Sequence, residues 1–413
     1  MNLLILITSY LRARPLNTLL NVVLLSLGIA MITILLWFNK QMQEKIADTT
    51  KGIDLVVGAK GSPLQLILCN VFHVDFPTGN IKLIDADRLA KHRLVKHAIP
   101  LALGDSYQNY RIVGTIPAYA ELYKAELASG DWWKNEMEVT IGAAVAQHLK
   151  LKAGDTFASA HGLSDGGHAH EAHPFVVKGV LKPTHTVLDN LILTQVASIW
   201  MVHEHTDEEA PVARPDSTTA SVLVPSVMAT DSTKEITSLL IKYRNPIAAI
   251  QLPRYINSQT NMQAASPSFE AARLFSILGV GIEAMTGFAY VLIFISALSI
   301  FIALYNSLKE RRYDLAIMRS MGASRAKLVW ATQLEGVWLT LWGSMLGIAL
   351  GHAVLYLFTQ WITESQTAGI NSMTFYNEEL YLLIGSVLLG MVCSLIPSLQ
   401  AYRTDIHKVL AGN

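Results

Sequence analysis

Lys309-Glu310-Arg311-Arg312-Tyr313-Asp314-Leu315-Ala316-Ile317-Met318-Arg319-Ser320-Met321-Gly322-Ala323-Ser324 is a basic, amphipathic stretch between two long apolar runs. The run before it, Ala284 to Leu308, is free of charge, and the run after it, Leu328 to about Phe358, carries a single acid, Glu335, near its start. Each exceeds the roughly 20 residues that cross a hydrocarbon core as a helix. A short basic helix held between two spans can be pushed by a partner on its own side of the membrane. Outward from there, two more charge-free runs qualify as spans, Pro15 to Asn39 and Leu380 to Tyr402. The fold class that follows is an α-helical membrane domain of four transmembrane helices, with a large extracytoplasmic domain between the first and second.

The chain has 413 residues, 51% hydrophobic and 15% charged, against about 25% charged in an ordinary soluble domain. Mean hydropathy is +0.34. Buried helices of a large soluble protein are the alternative, and four such runs with polar flanks speak against it. Arg12 and Arg14 precede the first span, and Arg403 and Lys408 follow the fourth. The loop between spans two and three holds Lys309, Arg311, Arg312, Arg319, Arg325 and Lys327, whereas the loop between three and four has acids and no Lys or Arg. The positive-inside rule therefore puts both termini and the basic loop in the cytoplasm. The expected division is a cytoplasmic amphipathic segment at 1–14, spans at 15–39, 284–308, 328–358 and 380–402, an external domain at 40–283, the basic loop at 309–327, an external loop at 359–379 and a cytoplasmic tail at 403–413. The first span is longer than a signal-peptide core and is followed by Asn39-Lys40-Gln41-Met42, so it reads as a retained anchor. Residues 1–10 read as a segment on the inner membrane face or as an early start to that span. Cys69 is external and Cys393 lies in the fourth span, which leaves no internal disulfide. The formal net charge of zero names no partner, and no nucleic acid is expected.

The external region mixes strand and helix patterns, which argues α+β or α/β. Glu138 to Leu149 reads as strand then helix, Lys152 to Asp155 as a turn, Thr156 to Ser159 and Pro174 to Leu181 as strands, and Leu188 to Val202 as a strand–helix unit or a helix. Ser221 to Val224 is a further strand candidate, Ile236 to Tyr243 opens another unit, and Ser266 to Leu278 reads as a helical stalk into the second span. Gly52 to Pro63, with its Gly58-Ala59-Lys60-Gly61, lacks the phosphate-loop spacing and reads as a strand and turn, with a ligand loop as the alternative. His161, His168, His170 and His173, with His203 and His205 later, carry imidazoles suited to zinc or a related metal, in a spacing that matches no standard zinc motif. The alternative is a solvated loop.

In the third span Gly343, Gly347 and Gly351 recur every fourth residue, a smooth stripe that lets helix backbones approach, within the chain or between two copies. Spans one, two and four carry no charge at mid-membrane, which argues against an ion channel or proton-driven carrier. Glu335 reads as interfacial and paired with a nearby base, with a relay as the alternative, and His352 as a packed polar residue, with a ligand as the alternative. Pro397 is expected to kink the fourth span.

Residues 309–324 resemble the ERRxEIxxLRxLGAS signature of the permeases related to MacB, FtsX and the lipoprotein-releasing LolC and LolE proteins. The likeness continues through Leu334-Glu335-Gly336 and the glycine stripe, the P-x-x-x-A-x-R ending at Pro397, Ala401 and Arg403, and the basic approach to the first span at residues 11–20. Ile141-Gly142-Ala143, Leu151 to Asp155 and Val177 to Leu181 are similar to that family's periplasmic core. The histidine-rich stretch and residues 52–80 stand outside its general pattern. The resemblance implies a non-catalytic permease subunit in the bacterial inner membrane. It would dimerise and work with a separate cytoplasmic ABC ATPase that carries ATP and Mg, since this sequence has no Walker A motif. The residues that would couple to that ATPase are Glu310, Arg311, Arg312, Leu315, Arg319, Gly322 and Ala323. Closure of the ATPase would move the first two spans and rearrange the periplasmic domain. Membrane lipids and a periplasmic adaptor or substrate-binding protein are further expected partners. The work done is export or extraction of a substrate at the outer face. The rival readings are a transducer that activates a periplasmic enzyme, and a zinc-linked transport component.

Overall fold

The computed structural model describes residues 9, 12, 15–161, 174–204, 233–361 and 373–402. They fall into two compact units, one of long helices and one lying within Gln43–Ser276.

Among the described residues four helices are long and apolar enough to cross a membrane: Pro15–Thr50, Pro267–Glu310, Arg325–Trp361 and Asn377–Tyr402. Each encloses one of the apolar runs. At about 1.5 Å per residue even the shortest reaches about 39 Å. Apolar side chains such as Phe294, Leu298, Leu357 and Leu388 face outward, while Asn21, Ser26, Thr33, Ser296, Thr340, Ser344 and Ser394 are buried. Lipid is as apolar as leucine, so burying leucine drives little association there. Small residues that permit close approach and polar groups that pair across helices hold such a bundle together. The Ser299 hydroxyl donates to Asn21 Oδ1 at 2.6 Å, joining the first and second long helices. The Ser394 hydroxyl donates to Gln333 Oε1 at 2.5 Å, joining the third and fourth. Leu25, Ile29, Ile300, Leu304, Leu339 and Cys393 fill the space between.

The Gln43–Ser276 unit is built on a mixed sheet with helices on it. In chain order its elements are β1 Leu55–Ala59, α1 Pro63–Asn70, β2 Ile81–Lys82, α2 Leu83–Ala90, β3 Val95–Tyr107, β4 Tyr110–Thr115, α3 Ala118–Leu122, β5 Leu127–Gly130, β6 Glu138–Ile141, α4 Ala143–Leu149, β7 Thr156–Phe157, β8 Ala160–His161, β9 Phe175–Leu181, β10 Leu191–Gln195, α5 Val196–Glu204, β11 Glu235–Ile236, β12 Ser238–Tyr243, α6 Ala248–Gln259 and β13 Met262–Ala265. The main sheet runs β13-β1-β12-β3-β4-β10-β6-β9-β5. β3 is its spine. It pairs antiparallel with β12 through its first half and with β4 through its second, with an irregularity between Leu103 and Ser106. β10 lies parallel to β4 and β6 parallel to β9, which accounts for the strand–helix alternation in the sequence. Two apolar cores form, one around Leu55, Ile112, Ile141 and Phe175, the other around Val56, Leu101, Val113 and Tyr119. Neighbours Val56 and Val57 fall in different cores, as alternation along a strand buried on both faces requires. β13 is one of the two edge strands, and the Asn257 side chain bonds its outer side at Ala264. Its Oδ1 accepts the Ala264 N–H at 2.7 Å and its Nδ2 donates to the Ala264 carbonyl at 3.2 Å, in place of a further strand.

The residues 52–63 form a strand and turn: β1 leads to Ser62, whose hydroxyl accepts from the Gln65 N–H at the start of α1, with Pro63 in the first turn. Cys69 is a buried free thiol whose pKa burial pushes up.

Glu138 supplies a test of this unit. Burial alone would raise its pKa. Hydrogen bonds from the Asn135 side chain, from the Lys134 and Asn135 N–H groups and from Lys178 outweigh that and hold the carboxyl at about 2. A depressed carboxyl stabilises the fold above its ordinary value of 4.5 and loses that contribution as pH falls toward 2. Glu138→Gln should therefore lower the melting temperature at pH 6 to 7, and the gap from the parent should narrow as pH falls to about 3. A gap constant with pH would mean that the carboxylate charge is not what these donors hold.

Candidate functional site: the short helix between the second and third long helices

The basic stretch folds as a helix, Arg312–Ser320, bounded by signals in its own sequence. Asp314 sits in the first turn and Arg319 in the last, each opposite in sign to the helix-end dipole beside it. Past Met321 the chain turns at Gly322 with φ +95°, a left-handed conformation that costs a residue with a Cβ about 1–2 kcal/mol. The Ala323 N–H reaches the Met318 carbonyl and the Gly322 N–H the Arg319 carbonyl, both at 3.0 Å, the paired bonds of a Schellman ending. Ser324 then heads the next helix, its hydroxyl accepting from the Lys327 N–H. Met-Gly-Ala-Ser is thus a stop followed by a start.

One face of the short helix is its seat. Leu315 and Ala316 are buried, and Leu315 packs with Leu308, Leu328 and Ala401. Arg311 pairs with Glu335 of the third long helix at 3.6 Å, with side chains only 14% and 12% exposed. Beside the pair lies a cavity of about 20 Å³ lined by Ser307, Leu315, Met318 and Thr332, room for about one water. The opposite face is free. Tyr313 is 58% exposed, Ile317 37% and Met321 81%, with Asp314 among them.

The expected coupling residues therefore divide. Glu310 and Gly322 are exposed, Arg319 and Ala323 half-buried, Arg311 sits in the ion pair and Leu315 is in the seat. The side chain of Arg312 lies outside the described residues. Tyr313, Ile317 and Met321 lie on the exposed face, and an amphipathic pattern gives two faces without saying which one the bundle takes.

The glycine stripe lies against the first long helix. A Cβ on Gly343 would meet Leu25 Cδ2 at 2.8 Å, one on Gly347 Ile29 Cβ at 2.7 Å, and one on Gly351 Thr33 Cβ at 3.0 Å. A second crossing escaped the sequence reading: Gly336 and Gly390 bring the third and fourth helices together, each Cβ position lying 2.8 Å from the other's carbonyl oxygen. At the far end of these helices His352 Nε2 lies 3.1 Å from the Glu379 carboxylate, both buried, and Lys40 pairs with Glu378 at 2.8 Å. His352 is thus buried with a carboxylate beside it. His168, His170, His173 and His205 lie outside the described residues, as do the side chains of His161 and His203.

Two family models match. The MacB-like periplasmic core domain covers residues 18–250, more than half of the chain, and the FtsX-like permease C-terminal domain covers residues 286–406. This chain belongs to the MacB/FtsX-type ABC permease family. It is a multi-pass membrane protein, and the Gln43–Ser276 unit is its periplasmic domain. A curated relative, an uncharacterized ABC transporter permease of Methanocaldococcus jannaschii, is 23% identical over 142 residues. That match spans 34% of this chain and 36% of the relative. Among solved structures, the periplasmic region of MacB from Actinobacillus actinomycetemcomitans aligns with TM-score 0.33 and 11% identity, over 56% of this chain and 97% of that one. The extracellular domain of the noncanonic ABC-type transporter YknZ from Gram-positive bacteria aligns with TM-score 0.29 and 13% identity, over 52% and 99%.

Proposed function

We propose that this MacB/FtsX-type permease is the membrane subunit of an ABC system in the inner membrane. A separate cytoplasmic ATPase, holding ATP and Mg, docks on the exposed face of the short helix at Tyr313, Ile317 and Met321. A second permease copy completes the assembly. The non-catalytic permease passes ATP-driven movement to its periplasmic domain, and the work done is export or extraction of a substrate at the outer face of that membrane. The observation that carries this is the helix itself: an apolar, partly aromatic face left outside the bundle, in the loop that concentrates the basic residues. Its seat is stiff, with Leu315 and Ala316 buried and Arg311 tied to Glu335, so a push on the outer face is delivered to the second and third long helices.

Orientation tests the base of this reading. A reporter fused after Lys309 should read cytoplasmic and one inserted within residues 162–173 should read external. The reverse pattern overturns the proposal, because the docking face would then be on the wrong side for an ATPase. Movement of a solute into or out of vesicles, dependent on the ATPase, separates transport from the rival reading of a transducer that activates a periplasmic enzyme.

A further inference from the structure

A groove of about 310 Å³ opens in the periplasmic domain where the C-terminal ends of α2 and α6 meet the start of β13. It takes no part in the docking described above. Its apolar lining is the buried pair Leu89 and Met262. Its aromatic lining is the imidazole of His92 stacked on the ring of Tyr255, with centroids 5.7 Å apart and planes 22° apart. The His92 Nδ1 accepts the Leu94 N–H at 3.3 Å, which leaves Nε2 as the free polar atom of that ring. Around these stand planar, two-ended polar groups: Asp85 and Arg88, 3.6 Å apart, and the amides of Gln259 and Asn261.

We propose that this groove binds a neutral saccharide of one or two rings. Ligand sites of a few hundred Å³ combine apolar and aromatic walls with a few polar groups that fix orientation. Here the two charges cancel, so nothing selects a net-charged ligand. Carboxylate, guanidinium and amide groups each offer two atoms side by side, which suits neighbouring hydroxyls that both donate and accept. Tyr255 is 42% exposed, and the exposed part of an aromatic ring suits the C–H face of a pyranose. A peptide adding as a strand would need the free edge of β13, and the Asn257 amide already occupies it at Ala264.

A free oligosaccharide, a cell-wall glycan end and a glycolipid headgroup share this chemistry. The test uses the full-length chain in nanodiscs and saturation-transfer NMR with chitobiose, maltose and, as a contrast, triglycine. Transfer to the ring C–H protons of at least one disaccharide is expected, and none to triglycine. Tyr255→Ala should weaken binding by about tenfold. Gln259→Ala, at an exposed position that leaves the fold intact, should weaken it less. Displacement of the disaccharide by vesicles bearing a glucosylated lipid, and not by plain phospholipid vesicles, identifies a headgroup as the source; no displacement by either identifies a free or cell-wall glycan. The proposal is overturned if neither disaccharide receives transfer at millimolar concentration, if Tyr255→Ala binds as the parent does, or if triglycine binds equally well.

Discussion

Gly347→Leu should break the assembly of the four-helix unit. A Cβ at this position would lie 2.7 Å from Ile29 Cβ and 2.8 Å from the Ser26 carbonyl oxygen. One obstacle is backbone and the other a β-branched carbon next to it, so no side-chain rotation relieves the clash. The first long helix has to move away. That would also pull Gly343 from Leu25 and Gly351 from Thr33. Overpacking commonly costs 1–3 kcal/mol, and against backbone along a helix seam the expected loss is about 3 kcal/mol or more. The readout is fluorescence-detected size exclusion after a heat step, with the monodisperse peak lost at a temperature well below that of the parent. Gly385→Leu is the matched control, since a Cβ there meets nothing within 4 Å. Equal behaviour of the two variants would mean that the third helix does not pack on the first through this stripe.

Ile317→Glu combined with Met321→Glu should release the ATPase. Both side chains are exposed, so the permease itself should insert and stay folded. In the complex the new carboxylates would be buried in an apolar contact without partners. Truncating a central interface residue costs about 2 kcal/mol or more, roughly 30-fold in affinity, and an unpaired charge at the same place costs at least as much. Copurification with the cognate ATPase and stimulation of its turnover should fall together. Leu315→Glu should fail differently. It puts a charge among Leu308, Leu328 and Ala401 and should destabilise the permease alone. A double variant that copurifies and stimulates as the parent does would place the docking surface elsewhere.

The amino-acid sequence by itself determined the elements. Four apolar runs longer than a membrane is thick, each with polar flanks, point to a membrane domain, and the folded helices enclose each of them. The end of the short helix was written in Met321-Gly322-Ala323-Ser324, because a left-handed stop and a serine start depend on atoms within one turn of chain. The strand at Glu138–Ile141, the helix after it and the strand at Phe175–Leu181 were legible for the same reason. Tertiary structure decided which surfaces meet. Glu335 was legible as an acid in need of a base. Arg311, at the junction of the second long helix and the short helix, pairs with it across to the third long helix, a contact that sequence spacing does not show. The glycine stripe was open to a contact within the chain or between copies, and its neighbours proved to be Leu25, Ile29 and Thr33, some 300 residues earlier. The two faces of the short helix were equivalent in the sequence until Leu315 and Ala316 were seen buried. Helical periodicity and capping are short-range, set by residues within a few positions of one another. Partner choice among helices and strands is set by shape and hydrogen bonding between segments that the chain brings together only once it has folded.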